Sequence, residues 1–133
     1  MVFVMAKLSD YARKLLEGKN FALLGTIFPD GSPQVTPMWV DTDGNYVLVN
    51  TAIGRVKQRN VSRDPRVTVT VVDQNNPYTY VMFRGKVVEQ ITGQAAEDHI
   101  DKLAKKYRGW EKYPRQLNQQ RVILKIKPER VSA

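Results

Sequence analysis

Residues 20–41 read NFALLGTIFPDGSPQVTPMWVD. Asn20 to Phe28 is apolar and partly β-branched, Pro29-Asp30-Gly31-Ser32 supplies turn residues, and Pro33 to Asp41 returns as a second extended run. This pattern predicts a β-hairpin. The second arm carries Pro33 and Pro37. Proline donates nothing to a ladder, so the arm is expected to be an edge or bulged strand around Pro37, with backbone N–H groups such as that of Met38 left free. Thr42-Asp43-Gly44-Asn45 then turns the chain into Tyr46–Thr51, YVLVNT, giving an antiparallel meander of three strands.

Working outward, Leu8, Ala12, Leu15 and Leu16 recur at helical spacing, with Ser9 placed to cap the start and Gly18 just past the end, which predicts a short amphipathic helix. Ala52 to Pro65 reads as a loop and short helix. Arg66–Asp73 alternates with period two, Asn75-Asn76-Pro77 turns, and Tyr78–Gln90 is a long strand expected to bulge at Gly85. Thr92–Tyr107 places Ala96, Ile100, Leu103 and Tyr107 on one helical face. After an irregular stretch from Arg108 to Gln120, Arg121–Ile126 alternates as a sixth strand. Six strands in hairpin order with helices at one end argue for a mainly β protein, a small antiparallel barrel with appended helices. Such a barrel is filled by its own side chains, so a ligand must bind outside it, at a subunit boundary.

The 133 residues, 42% hydrophobic and 26% charged, fit one soluble domain over residues 1–133, with 1–9 read as a flexible N-terminus. The absence of cysteine excludes disulfides, thiolate nucleophiles and iron–sulfur clusters, so redox chemistry requires a bound cofactor. No apolar run reaches the roughly 18 residues of a membrane span, and Met1–Met5 is too short for a signal-peptide core; a cytoplasmic protein without membrane contact is expected.

Lys and Arg exceed Asp and Glu by 21 to 13, a net charge of +8 that favours anionic partners. Five of these cations, Arg55, Lys57, Arg59, Arg63 and Arg66, fall within twelve positions, with Asp64 the only acid among them. The cluster follows directly on Asn50-Thr51-Ala52 and Gly54. Backbone amides, a hydroxyl and fixed positive charge together suit a phosphate monoester, although a solvated basic helix has the same composition. The spacing is not that of a P-loop. Trp39 offers a flat apolar surface, for the core or for an aromatic ring. His99, the only histidine, reads as structural; Asp41, Asp43 and Asp73 read as turn residues, and no serine has a histidine partner in a motif. No catalytic side chain and no metal site are identified.

Taken together, Ala22–Thr26, Pro29–Trp39, Val49–Ala52 and Arg55–Val67 resemble the pyridoxamine 5'-phosphate oxidase-like family of split β-barrel flavoproteins, within it the flavin/deazaflavin oxidoreductases that use coenzyme F420. The resemblance covers Asp10 to Ile126. It implies a six-stranded split β-barrel of the FMN-binding type, a homodimer with two cofactor clefts at the interface, and hydride chemistry supplied by coenzyme F420 (a deazaflavin) or FMN. On the matching positions, the phosphate would sit on Thr51, Arg55 and Lys57 with Asn60 close by. The ring would lie against Pro37, Met38 and Trp39, with Gln34 and Asn50 in the same set and Tyr80 and Met82 contributed by the second subunit. True pyridoxamine-phosphate oxidases extend further with residues for their substrate, so a small organic molecule other than vitamin B6 is expected. Two other classes of function compete: a flavin or F420 carrier without turnover, and a single-strand nucleic-acid barrel using Tyr78, Tyr80 and Phe83. The second is disfavoured because the basic residues do not interleave with those aromatics.

Overall fold

The computed structural model describes residues 7–133. Three helices accompany seven strands: α1 (Asp10–Glu17), β1 (Ala22–Ile27), β2 (Pro33–Met38), β3 (Asp41–Thr42), β4 (Val47–Ala52), α2 (Val56–Arg63), β5 (Arg66–Val72), β6 (Tyr80–Ile91), α3 (Gln94–Arg108) and β7 (Arg121–Ser132). All strand pairs are antiparallel, in the order β2-β1-β5-β6-β7-β4-β3. The curled sheet is a mainly β split barrel, and its two edge strands, β2 and β3, are joined in sequence by Trp39 and Val40 alone.

Alternation builds the core. Leu24, Val69, Val71, Phe83, Val47, Val49, Val122, Leu124 and Ile126 point to one side of the sheet and are buried with α1. The opposite face of β4 and β7 packs on α3, where Ile100, Leu103 and Tyr107 form a second cluster with Trp39 and Tyr113. Ser9 caps α1 by accepting the Ala12 N–H at 3.1 Å, and Leu8 is buried in the core. Of the stretch 1–9 read as flexible, residues 1–6 lie outside the described residues.

Two expectations change and a third is met in one of its two forms. The second arm of the first hairpin does not continue to Asp41; it ends at Met38, and β3 makes a seventh strand. The break has a cause at Val40, whose N–H donates to Tyr107 Oη at 3.1 Å while its carbonyl accepts from Lys106 Nζ at 2.8 Å, so α3 takes the polar groups that a ladder would have used. Of the two forms expected for the proline-bearing arm, β2 takes the edge strand and not the bulge: its register with β1 runs unbroken from Ala22↔Met38 to Ile27↔Pro33. The last strand does not stop at Ile126 but continues to Ser132, because residues 127–132 pair with β6. Pro128 sits opposite Gly85, at a register shift where a proline and its missing N–H are tolerated. The bulge expected at Gly85 is present between Arg84 and Gly85.

Candidate functional site

A cleft of about 270 Å³ opens where β2 ends, between β4, the start of β7 and α3. One wall is apolar: Pro37, Met38 and Trp39 from the end of β2, with Ile100 and Leu103 from α3. The other is cationic, with Arg55, Lys57 and Arg121 beside Asn50 and Thr51, and among the described residues no carboxylate lines the cleft. Seven residues singled out in the sequence therefore meet here: Pro37, Met38, Trp39, Asn50, Thr51, Arg55 and Lys57.

The flat wall is rigidly held. Trp39 stacks on Tyr107 with ring centroids 5.4 Å apart and planes 4° from parallel, and Tyr113 meets it edge-on at 6.1 Å. Tyr107 is itself fixed, donating its hydroxyl to Asn20 O at 2.6 Å. Burial pushes its pKa up to about 12, so the hydroxyl keeps its proton. Tyr113 belongs to the irregular segment between α3 and β7, which Arg115 pins by contacting Glu97 and Asp101 at 2.9 Å each.

The cationic wall is poised for an anion. Burial lowers the Lys57 pKa, and the charges of Arg55 and Arg121 lower it further. Burial likewise lowers that of Arg121. Mutual repulsion and desolvation both raise the free energy of the cleft until negative charge enters. Thr51 also lines this wall, and its Oγ1 is buried with no hydrogen-bond partner among the described residues.

Four of the sequence-derived residues lie elsewhere. Asn60 is buried under β1, donating to Thr26 Oγ1 at 3.1 Å, and Gln34 Oε1 accepts from the same Thr26 hydroxyl at 3.2 Å. Tyr80 and Met82 belong to β6, where they pair with Val72 and Thr70 of β5, away from the cleft. The cation run also divides: Arg63 bonds to Ile27 O and Asn60, and Arg66 pairs with Asp64 at 2.7 Å. Phe83 is fully buried, so it offers no stacking surface for a nucleic-acid base.

Phe21, Tyr113 and Arg121 line the cleft although the sequence reading did not single them out. Tyr113 sits in a segment without periodicity, and Arg121 opens a strand where a lone charge ordinarily faces solvent. An arginine leading an apolar run that packs on a helix was the one available signal.

Asp43 and Asp73 do serve turns, accepting backbone N–H groups at 2.8–3.0 Å. Asp41 does not. Its Oδ2 lies 3.1 Å from Lys102 Nζ and 3.5 Å from His99 Nε2, beneath α3. Burial alone would raise the Asp41 pKa, but the close contact with His99, the Thr42 N–H and the charge of Lys102 outweigh it and hold the carboxyl well below its usual value of 3.8. A depressed folded-state pKa contributes stability that is fully present above the unfolded value and is lost as pH falls through the folded one. Urea unfolding of the unmodified chain is therefore expected to show a fall in stability below about pH 4 that is reduced in Asp41→Asn. Parallel acid limbs in the two proteins would show that Asp41 is not the group responsible.

A larger cleft of about 430 Å³ runs over Gly25, Val35, Val67 and Gly85, with Arg84 and Glu129 also in its lining. Its lining is mostly apolar. Among the described residues no helix is long and apolar enough to cross a membrane.

Residues 8–133 match the pyridoxamine 5'-phosphate oxidase family. Among solved structures, an F420 reductase is 33% identical with a TM-score of 0.81, the match covering 90% of this chain and 94% of that one. A conserved hypothetical protein from Mycobacterium tuberculosis is 26% identical over 97% of this chain and 84% of its own, with a TM-score of 0.70. A candidate pyridoxamine 5'-phosphate oxidase from Listeria innocua, 19% identical over 84% of this chain and 86% of its own, shares the fold at a TM-score of 0.63.

Proposed function

The chain belongs to the pyridoxamine 5'-phosphate oxidase family, and from that premise we propose that it is an oxidoreductase that binds coenzyme F420 or FMN and moves a hydride to or from a small organic substrate. The observation that supports this reading is one cleft with two unlike walls: a rigid aromatic face at Trp39, and a cationic face of Arg55, Lys57 and Arg121 on which, among the described residues, no carboxylate lies. A phosphorylated tricyclic ring has matching halves.

Arg55 and Lys57 would hold the phosphate by charge-assisted hydrogen bonds, and Thr51 would donate its hydroxyl to it. Pro37, Met38 and Trp39 would support the ring, with Ile100 and Leu103 keeping water from its edge. The bound ring supplies the hydride chemistry; the protein orients it, balances its charge and dries one face. The similarity to an F420 reductase favours the deazaflavin. Charge adds a modest reason: F420 carries an oligoglutamate tail beyond its phosphate, and Arg59 continues the cation run while Arg63 and Arg66 are engaged by the protein. Titrations at low and physiological ionic strength should find F420 bound more tightly than FMN, with the steeper salt dependence. Tighter binding of FMN at both salt levels would make this a flavin protein.

A cleft of about 270 Å³ lies just below the usual range for ligand sites, roughly 300–1,000 Å³, which supports a half-site completed by a second subunit. In this reading the larger apolar cleft, with exposed Val35 on its wall, is covered by that copy, and Tyr80 and Met82 reach the partner's ring. Light scattering is expected to give the mass of two chains. A single-chain mass with cofactor fully bound would contradict the dimer.

A further inference from the structure

Arg121 is only 4% exposed, yet among the described residues no carboxylate pairs with it: Glu97 and Asp101, the acids of the neighbouring helix face, are both taken by Arg115. The sheet explains where it points. Asn50 is paired with Ile123 and Ala52 with Arg121, so Asn50 and Arg121 are diagonal neighbours on the face of β4 and β7 that meets α3. Arg121 Nε donates to Asn50 Oδ1 at 2.9 Å, Nη1 donates to Gln119 Oε1 at 3.1 Å, and the guanidinium lies 5.2 Å from the Tyr113 ring centroid. Among the described residues no hydrogen bond engages Nη2, and Arg121 lines the cleft.

The orientation of Asn50 is fixed by its surroundings. Its Nδ2 donates to Ala96 O at 3.0 Å and faces His99 Nδ1 at 3.2 Å. Turning the amide over would set oxygen against the Ala96 carbonyl and N–H against Arg121 Nε, so only one orientation satisfies all three partners. With Nδ1 accepting, a neutral His99 carries its proton on Nε2, which faces Asp41 Oδ2 at 3.5 Å; Lys102 Nζ closes the chain at 3.1 Å from the same oxygen. A run of polar contacts through buried Asp41, His99 and Asn50 thus ends on the nitrogen that sets the direction of the Arg121 fork.

We propose that Arg121 is a third anion-binding residue of the cleft, presenting Nη2 to the ligand phosphate alongside Arg55 and Lys57, and that Asp41, His99 and Asn50 are positioning residues that hold it there. This rests on the phosphorylated-cofactor reading above. It gives Asn50 a role behind the site, since both ends of its amide are occupied by the protein, and it gives the lone histidine a task that touches no ligand. A fixed guanidinium fork loses little rotamer freedom on binding, so its contribution exceeds that of a mobile surface arginine.

The test uses the full chain, with FMN and riboflavin as probes, because they share a ring and differ in the phosphate. Flavin fluorescence should show Arg121→Gln weakening FMN by about tenfold or more while leaving riboflavin unchanged. His99→Leu should give the same selective loss, and His99→Gln, whose Oε1 can accept from Asn50, should restore most of it; a purely structural histidine would affect both flavins alike. Since these positions are buried, the unmodified protein provides an independent reading by NMR. On titration with inorganic phosphate, the Arg121 Nε–H and Asn50 Nδ2–H resonances should shift together and saturate. Wild-type FMN affinity in Arg121→Gln, with binding lost when Arg55 and Lys57 are replaced, would overturn this proposal and leave the cofactor reading standing. Spectra unmoved by phosphate, FMN and F420 alike would overturn both.

Discussion

Replacing Arg55 and Lys57 together by Ala is expected to weaken F420 and FMN binding by about 3 kcal/mol or more, roughly 150-fold, without lowering the melting temperature. The size of the loss follows from the cleft. Hydrogen bonds between two charged partners are worth more than neutral ones, and among the described residues this wall has no carboxylate to take over the neutralising role. The unchanged stability follows from the same facts. Arg55 is exposed at the start of α2 without a side-chain cap, and Lys57, desolvated beside two other cations, contributes repulsion to the empty site. Equilibrium titration and thermal unfolding on the same sample separate the two effects. Unaltered affinity in the double variant would reduce the cluster to a solvated face.

Gly85→Ala should destabilise the fold by about 3 kcal/mol or more, because a methyl group there would overlap the Lys127 carbonyl and then the Cα of Pro128. Those obstacles are backbone atoms of β7 and cannot move aside as a side chain would. The glycine is needed for close approach, not for an unusual φ: β6 and β7 shift register here, and the two strands carry the longest ladder in the sheet. Urea unfolding should show the loss in the transition midpoint. A midpoint within a few tenths of a molar of the unmodified chain would mean that the bulge can relax outward. Gly31→Ala is a useful contrast, since a methyl there meets nothing within 4 Å and only the φ of 88° opposes it.

Most strands were legible because period-two burial writes itself into the residues of β1 and β5, the first half of β7 is an almost continuously buried apolar run, and the turns carry Gly, Asp, Asn and Pro. What escaped was set by tertiary partners. Residues 127–132 look like a charged tail until β6 is present to pair with them. Trp39 and Val40 look like strand until Tyr107 and Lys106, some 66 residues away in sequence, claim the backbone of Val40. The site divides in the same way. Arg55 and Lys57 were visible as a local excess of charge, and Pro37–Trp39 as an irregular aromatic edge. Arg121, Tyr113 and the Asp41–His99–Asn50 chain come from five separate segments, and no local pattern in any one of them points to the others. Asp41 followed by Thr42-Asp43-Gly44 has turn composition, and only the placement of α3 over β3 and β4 turns it into the buried partner of His99.

The central claim is that the two-walled cleft holds a phosphorylated flavin-type ring, and a crystal structure of the protein grown with F420, and separately with FMN, tests it most directly. The account predicts the phosphate within hydrogen-bond distance of Thr51 Oγ1, Arg55 and Lys57, and the ring against Pro37, Met38 and Trp39. A ligand found instead in the larger apolar cleft over Val35 and Val67, or a phosphate bound away from Thr51, would contradict it.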